Sequence, residues 1–123
     1  MILLDTNILI EIFKGNEIIA NKLDQLDESF IISSITQMEL YYGAFNKREM
    51  QLLDKFLNSF LIIQIDNEIS VNAVNLIKKY SKSHNLNIPD ALIASTALVK
   101  NVSLFTLNVR DFKYIENLKL ITI

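Results

Sequence analysis

The hydrophobic positions of the chain alternate between short unbroken runs and longer stretches with helical spacing. Apolar runs at Leu3-Leu4, Ser29 to Ile32, Leu61 to Ile65, Val102 to Leu107 and Leu120 to Ile123 predict five β-strands. The stretches between them repeat their apolar residues at intervals of three and four, which is typical of amphipathic helices. Because strands alternate with helices, the pattern predicts an α/β fold with a central, mostly parallel sheet covered on both faces.

Six helices fill the intervals between the strands, and polar or glycine residues mark several of their ends. Gly15 is placed to close the first helix, Asp66 or Asn67 to cap the fifth, and Pro89 to occupy the first turn of the sixth. The predicted helices follow the apolar positions of Ile8 to Phe13, Ile18 to Leu23, Ile35 to Tyr42, Met50 to Phe60, Ile69 to Tyr80 and Ala91 to Val99.

The composition indicates a single domain spanning residues 1–123. Half of the residues are hydrophobic, so the chain has enough apolar side chains for a core. No apolar run approaches the ~20 residues of a membrane span, and Met1 leads into a strand without a basic leader. Cysteine is absent, which excludes disulfides. We therefore expect a cytoplasmic protein without a membrane association.

Four acids stand at the edges of apolar segments: Asp5, Glu39, Asp90 and Asp111. Asp5 directly follows the first strand, and the carboxyl ends of strands are where open α/β sheets bind ligands. Several carboxylates at one sheet edge repel each other, and a hard divalent cation relieves that repulsion. With one histidine and no cysteine, the chain offers almost no ligands to zinc. The acids therefore indicate a Mg²⁺ or Mn²⁺ site.

Helix capping is an alternative role for the first two acids. Asp5 is placed to cap the first helix with its carboxylate. Glu39 fits a capping box that begins at Thr36, in which it would reach back to the start of the third helix. A competing box from Ser34 to Gln37 starts that helix two residues earlier and leaves Glu39 free for another task.

The other two acids also have structural alternatives. Asp90 follows Pro89, where a negative charge complements the positive end of the sixth helix. Asp111 is placed to cap a short helical turn or to pair with Arg110. Each alternative is adequate alone, but together they require four acids to meet one sheet edge by chance.

The net charge of −2 is unusual for a protein that binds nucleic acid. If the four acids are set aside, ten acidic residues face twelve basic ones, and the remainder of the surface is mildly basic. An ordinary solvated surface of mixed charge explains the same numbers.

Four segments of the chain resemble the successive motifs of PIN-domain nucleases, most closely the VapC-type toxins of toxin–antitoxin pairs. The order and the length also match, from residue 2 to the C-terminus. The resemblance implies a three-layer α/β/α fold and a Mg²⁺- or Mn²⁺-dependent ribonuclease that cleaves structured RNA such as tRNA or rRNA. The segments are Leu3-Leu4-Asp5-Thr6-Asn7, Ser34 to Leu40 with Gly43, Pro89 to Ala94, and Thr106 to Phe112.

The same resemblance implies the site residues. Asp5, Glu39 and Asp90 match the core acids, with Glu39 acting on the metal directly or through water. The fourth position stays open between two residues, because some members carry an acid where this chain has Asn108 and others where it has Asp111.

Small polar residues and one arginine complete the expected site. Thr6, Asn7 and Thr106 match positions that orient ligands or water in the family, and Asn108 belongs with them if it is not the fourth metal group. Arg110 is the candidate for binding an RNA phosphate.

The resemblance also implies partners: an RNA substrate, a VapB-type antitoxin and a second copy of the chain. Tyr41, Tyr42 and Phe45 place aromatic rings on more than one side of the third helix, so part of this group is expected at an interface. His84 lies in a polar stretch and is interpreted as an exposed loop residue. A ribonuclease mechanism that uses two histidines is excluded.

Two rival functions are set against the nuclease. A phosphotransfer protein would use Asp5 as nucleophile, but a haloacid-dehalogenase-type phosphatase needs a second acid where Asn7 stands. A response-regulator receiver needs a lysine after a late strand, and Val102 to Val109 contains none. The other rival is a non-catalytic PIN-like scaffold that binds RNA or protein.

Overall fold

All five predicted strands and all six predicted helices form in the computed structural model, which describes residues 1–123. A short 3₁₀ helix, Val109–Asp111, follows the fourth strand. The strands are β1 Ile2–Leu4, β2 Phe30–Ser33, β3 Leu61–Ile63, β4 Ser103–Phe105 and β5 Leu120–Ile121. The helices are α1 Thr6–Phe13, α2 Glu17–Leu26, α3 Ser34–Tyr42, α4 Lys47–Leu57, α5 Asn67–His84 and α6 Ile88–Lys100.

The sheet is entirely parallel, with the strand order β3-β2-β1-β4-β5. The first strand therefore lies in the centre, where Leu3 pairs with Ile31 on one side and Leu104 on the other. The chain builds outward from β1 through β2 and β3, and then returns to its other side for β4 and β5. Ligand sites of open α/β sheets lie at such a reversal, outside the carboxyl ends of the strands.

The core is divided between the two faces of the sheet. Alternate residues of a strand point to opposite faces, so Leu3 packs under α5 and α6, whereas Ile2 and Leu4 pack under α1 to α4. The three-layer α/β/α arrangement is thereby confirmed. None of the helices combines the length and apolar character that a bilayer crossing requires.

The predicted boundaries differ from the structure mainly at element ends. The last three strands are shorter than predicted, and α4 ends at Leu57, so that Phe60 lies in the turn before β3. Helix α5 continues beyond Tyr80 until Asn85 adopts the left-handed conformation with φ 59°. His84 is therefore exposed as expected, but it is the last residue of a helix and not part of a loop.

Gly15 closes the end of α1 as predicted. Lys14 is the C-cap residue, and Gly15 follows it with φ +85°, a conformation that glycine adopts without steric cost. This turn sends the chain into α2, whose N-cap is Asn16.

Candidate active site

Asp5 is buried at the junction between the central strand and α1, with only 5% of its surface exposed. One carboxylate oxygen accepts a hydrogen bond from the Thr6 amide at 2.8 Å, and the other accepts one from the Thr106 hydroxyl at 2.7 Å. Burial raises the pKa of Asp5, the two hydrogen bonds oppose that rise, and the charges of Glu39 and Asp111 add to it. The capping role is real, but it occupies one oxygen of the two.

Glu39 takes no part in capping α3, and both predicted capping boxes are wrong. The N-cap is Ser33, whose hydroxyl accepts a hydrogen bond from the Ile35 amide at 3.1 Å. Since the helix begins at Ser34, Glu39 lies in its second turn, beyond the unpaired amides of the first. One of its carboxylate oxygens instead accepts a hydrogen bond from the Thr6 hydroxyl at 2.7 Å.

Thr36 belongs to this network, although the sequence predicted for it only a role as a helix cap. Its hydroxyl is fully buried and lies 2.9 Å from the hydroxyl of Thr6. Thr6 has one hydroxyl proton, which it gives to Glu39, so Thr36 donates to Thr6. The spacing of three residues between Thr36 and Glu39 on one helix is the signal that would have found it.

Asp90 projects from the first turn of α6, after the N-cap Asn87, which accepts a hydrogen bond from the Asp90 amide at 2.9 Å. The pKa of Asp90 is raised to about 7, mainly by burial and in addition by the charges of Asp5, Asp111 and Glu39. The N-terminus of α6 favours the charged form of a nearby carboxylate. Burial outweighs this effect on the pKa of Asp90, because no hydrogen bond to its carboxylate opposes the rise.

Of the two candidates for the fourth position, Asp111 lies beside the other acids. It lines a cavity of about 130 Å³ together with Asp90, and its charge contributes to the raised pKa of both Asp5 and Asp90. Asn108 is exposed, does not line that cavity, and holds Thr106 through its backbone amide at 3.0 Å. Neither structural alternative for Asp111 forms, because it makes no ion pair with Arg110 and the short turn has no side-chain cap.

The remaining small polar residues join the loop after β4 to the start of α1. Thr106 is fully buried between Asp5 and the Asn108 amide. The Asn7 side-chain oxygen accepts a hydrogen bond from the Leu107 amide at 3.3 Å. These bonds hold the carboxyl ends of β1 and β4 in register with each other.

Comparison with known proteins places this fold and site in one family. The model of the PIN domain matches residues 2–118. The chain belongs to the PIN-domain family. Ribonuclease VapC1 of Methanocaldococcus jannaschii is 33% identical over 116 residues, which cover 94% of this chain and 81% of that protein.

Solved structures agree with this assignment across the whole PIN domain. A chain of a toxin–antitoxin complex from Klebsiella pneumoniae superposes with a TM-score of 0.83 at 34% identity, covering 99% of this chain and 97% of that one. A chain of VapBC2 from Rickettsia felis, bound to a DNA fragment from its promoter, gives a TM-score of 0.86 at 32% identity, with 100% and 99% covered. The resemblance to VapC-type PIN proteins is confirmed.

The electrostatic character of the PIN-domain site is uniformly acidic. The three ion pairs of the protein involve other residues, so no basic side chain neutralises the four carboxylates. No three Asp, Glu or His side chains are close enough together to hold a metal ion directly. A Mg²⁺ ion keeps several of its waters and needs only one or two direct carboxylates, so a site with fewer than three close acids is compatible with its coordination. Hard oxygen donors alone make up the set.

Proposed function

We propose that this protein is a metal-dependent endoribonuclease and the toxin of a toxin–antitoxin pair, acting as one PIN domain over residues 1–123. The proposal rests chiefly on one observation: carboxylates from four distant segments lie at the carboxyl edge of the sheet without a basic partner. Thr6 bonds to both Asp5 and Glu39, and Asp90 and Asp111 line one cavity. The relatives named as VapC ribonucleases support RNA as the substrate, and a cytoplasmic setting follows from that substrate.

The residues fit a divalent ion in the following way. Asp5 and Asp90 would hold Mg²⁺ or Mn²⁺ directly, Glu39 would act directly or through water, and Asp111 would complete the set. When bound, the ion supplies charge neutralisation for the phosphate and a water of lowered pKa. No protein donor occupies the carboxylate of Asp90 or Asp111, whereas those of Asp5 and Glu39 each accept hydrogen bonds.

The protein's own part in the reaction is to hold these oxygens in place. Thr106 and the Thr6 amide fix the Asp5 carboxylate, and the Thr6 hydroxyl, itself bonded to Thr36, fixes Glu39. Donors that bond to metal-binding carboxylates in this way orient them and raise metal affinity. Arg110 is exposed beside this edge and enters no ion pair, so it is available to bind a phosphate of the RNA chain.

The activity is tested by RNA cleavage with millimolar Mg²⁺ or Mn²⁺, using tRNA and rRNA as substrates. We expect cleavage that EDTA stops, and we expect Asp5→Asn to abolish it. Asp24→Asn is the matched control, because Asp24 is an exposed aspartate on α2 outside the site. If the wild-type protein binds RNA but cuts none with either ion, it is a non-catalytic scaffold and the nuclease proposal is wrong.

A surface groove supports the second part of the proposal, an antitoxin partner. It has a volume of about 330 Å³ and lies between α1, α3 and α4, with Glu39 in its wall. Its other lining includes apolar side chains of Ile10, Phe13 and Leu40, together with the acid Glu49 and one basic residue, Lys14. A segment with an apolar face and a basic side chain fits this lining and would bring its positive charge to the acids.

The groove is tested by co-expression with the adjacent small gene. We expect its product to co-purify with the protein and to inhibit cleavage, and we expect Ile10→Lys to weaken both effects. Ile18→Lys is the control, since Ile18 is 69% exposed on α2 and lies outside the groove. Cleavage that is indifferent to the gene product would contradict the toxin assignment and leave only the nuclease.

The proposed homodimer draws on two aromatic rings near the end of α3. Tyr42 is 95% exposed and Phe45 is 86% exposed, the two highest values among the exposed large hydrophobic side chains, and exposed apolar patches mark interaction sites. Tyr41 differs from them, because it is partly buried and its hydroxyl donates to Asp54 at 2.6 Å. Light scattering of the protein alone is the measurement, and a strict monomer would contradict the dimer.

A further inference from the structure

Three aromatic side chains pack one against the next beside the acids and form an aromatic wall. They are the buried Tyr80, then Tyr114, and then the exposed His84. Tyr80 is buried on α5, and its hydroxyl accepts a hydrogen bond from the Glu116 amide at 3.2 Å. The Tyr114 ring packs against Tyr80 with their centroids 5.1 Å apart, and the exposed His84 ring packs against Tyr114 at 4.2 Å. The outermost ring is thus presented to solvent on a fixed support.

The orientation of the outer ring is fixed from a second side. The Ser83 hydroxyl lies 2.8 Å from His84 Nδ1, so that one ring nitrogen is engaged and Nε2 is left for another partner. His84 is the last residue of α5, where the left-handed Asn85 turns the chain away. An exposed side chain held in this way loses little conformational entropy when it binds a ligand.

The wall borders the cavity of about 130 Å³ described above. Tyr114 and His84 line it together with Asp90 and Asp111. Asn87 lines it as well, with its side-chain oxygen engaged by the Asp90 amide and its side-chain amide group unbonded. The cavity therefore offers ring surfaces and an amide donor directly beside the proposed metal carboxylates.

The chemistry of this cavity suits a neutral planar group better than a phosphate. An anion would face Asp90 and Asp111, and Arg110 does not line the cavity. A nucleobase carries no charge, stacks on His or Tyr rings, and hydrogen-bonds to side-chain amides. Bases of single-stranded or looped RNA are splayed out and free to enter such a space.

We infer that this cavity is a subsite for one nucleobase adjacent to the cleaved bond, with His84 as its stacking surface and the Asn87 amide as a hydrogen-bond donor. The inference rests on the proposed ribonuclease function and adds how the RNA is positioned. His84 is a binding residue in this account and takes no part in proton transfer.

The test measures binding separately from cleavage. Fluorescence anisotropy gives the affinity of Asp5→Asn protein, with Mg²⁺ present, for labelled single-stranded RNA of about ten nucleotides and for a ribose-phosphate chain of equal length without bases. We expect the RNA to bind more tightly than the base-free chain. Adding His84→Ala should weaken RNA binding about 5- to 30-fold and leave binding of the base-free chain unchanged.

Two further variants separate stacking from charge and from folding. His84→Phe keeps a flat ring without the ring nitrogens, and it should restore most of the lost affinity. Lys82→Ala removes an exposed cation from the same turn of α5. This variant should weaken the binding of RNA and of the base-free chain equally. In otherwise wild-type protein, His84→Ala should raise the KM for RNA and change kcat by less than about threefold.

Several outcomes would overturn the inference. If His84→Ala weakens binding of RNA and of the base-free chain equally, His84 acts through charge and not by stacking on a base. If the substitution weakens binding of neither, His84 does not contact the bound RNA. An absence of RNA binding to any of these proteins would also refute it. If binding depends on His84 but wild-type protein cleaves no RNA, the base subsite stands and the nuclease function fails.

Discussion

At the scale of single residues, the two acids with raised pKa values differ in their burial and in their hydrogen bonds. Asp5 is fully enclosed and held by two donors, whereas Asp90 is half-buried and held by none. The pKa of both is raised, first by burial and then by the neighbouring acids. Such groups store a destabilising charge that a bound cation relieves.

The stability of the metal-free protein should therefore depend on the charge of Asp90. Its folded pKa of about 7 lies above the unfolded value of about 3.9, so ionisation costs stability, and that cost grows as the pH rises from about 4 through 7. In EDTA at pH 8, Asp90→Asn should be more stable than wild type by on the order of 1–2 kcal/mol, after discounting for solvent screening. Thermal unfolding measures this difference.

The same comparison at pH 4 is the control. The two proteins should then unfold at nearly the same temperature, because the Asp90 carboxyl of the folded wild-type protein is neutral at this pH, as the amide of the variant is. The variant should also lose cleavage entirely. An Asp90→Asn protein with near wild-type metal-dependent activity would refute its assignment as a metal residue.

The Thr6 hydroxyl gives a second prediction at this scale. Thr6→Val removes the donor to Glu39 and the acceptor of Thr36, so we expect about a 10- to 100-fold loss of cleavage and a stability cost of about 1–2 kcal/mol. Thr6→Ser keeps the hydroxyl and should retain most of the activity. Equal activity of the two variants would show that this hydroxyl does not position Glu39.

At the scale of elements, the hydrophobic pattern identified every strand and helix, but local competition decided where some of them begin. The segment from Ser33 to Thr36 contains three hydroxyl residues that suit a helix N-cap, and spacing does not select among them. The structure uses Ser33 because β2 stays extended to that residue. For a similar reason, the sequence did not decide between Asn108 and Asp111 as the fourth site residue. The 3₁₀ turn after β4 brings Asp111, and not Asn108, into the cavity that Asp90 lines.

The cap of α3 can be tested directly. Ser33→Ala removes the bond to the Ile35 amide and should cost about 1 kcal/mol of stability. Ser34→Ala is the matched control, because Ser34 is also buried but its hydroxyl makes no capping bond, and it should cost less. Chemical denaturation of both variants provides the comparison. A larger loss for Ser34→Ala would contradict Ser33 as the cap.

At the scale of the whole molecule, the arrangement of the strands could not be read from the sequence. Periodicity predicted an α/β sheet but is silent on which strands are neighbours. Only the topology explains why Asp5 meets Thr106, a residue 101 positions away. The family resemblance supplied the grouping of Asp5, Glu39 and Asp90, but not the threonine hydroxyls that join their segments.

Metal binding should stabilise the protein as a whole, since the carboxylates are brought together only by folding. Saturating Mg²⁺ or Mn²⁺ at about 100 times the dissociation constant would add about 2.7 kcal/mol relative to EDTA. Differential scanning calorimetry is the measurement, and Asp90→Asn should lose most of the shift. No shift with either ion up to tens of millimolar would count against the metal site.

The central position of β1 also determines the point during synthesis of the chain at which the acidic site can form. The first strand to be synthesised waits for β4, whose residues Ser103–Phe105 come near the end of the chain, before its second edge is paired. Thr106 follows still later, so an unfinished nascent chain has no complete acidic site. Under the proposed function, a nascent chain therefore cannot cleave RNA until β4 and the turn that carries Asp111 have been translated.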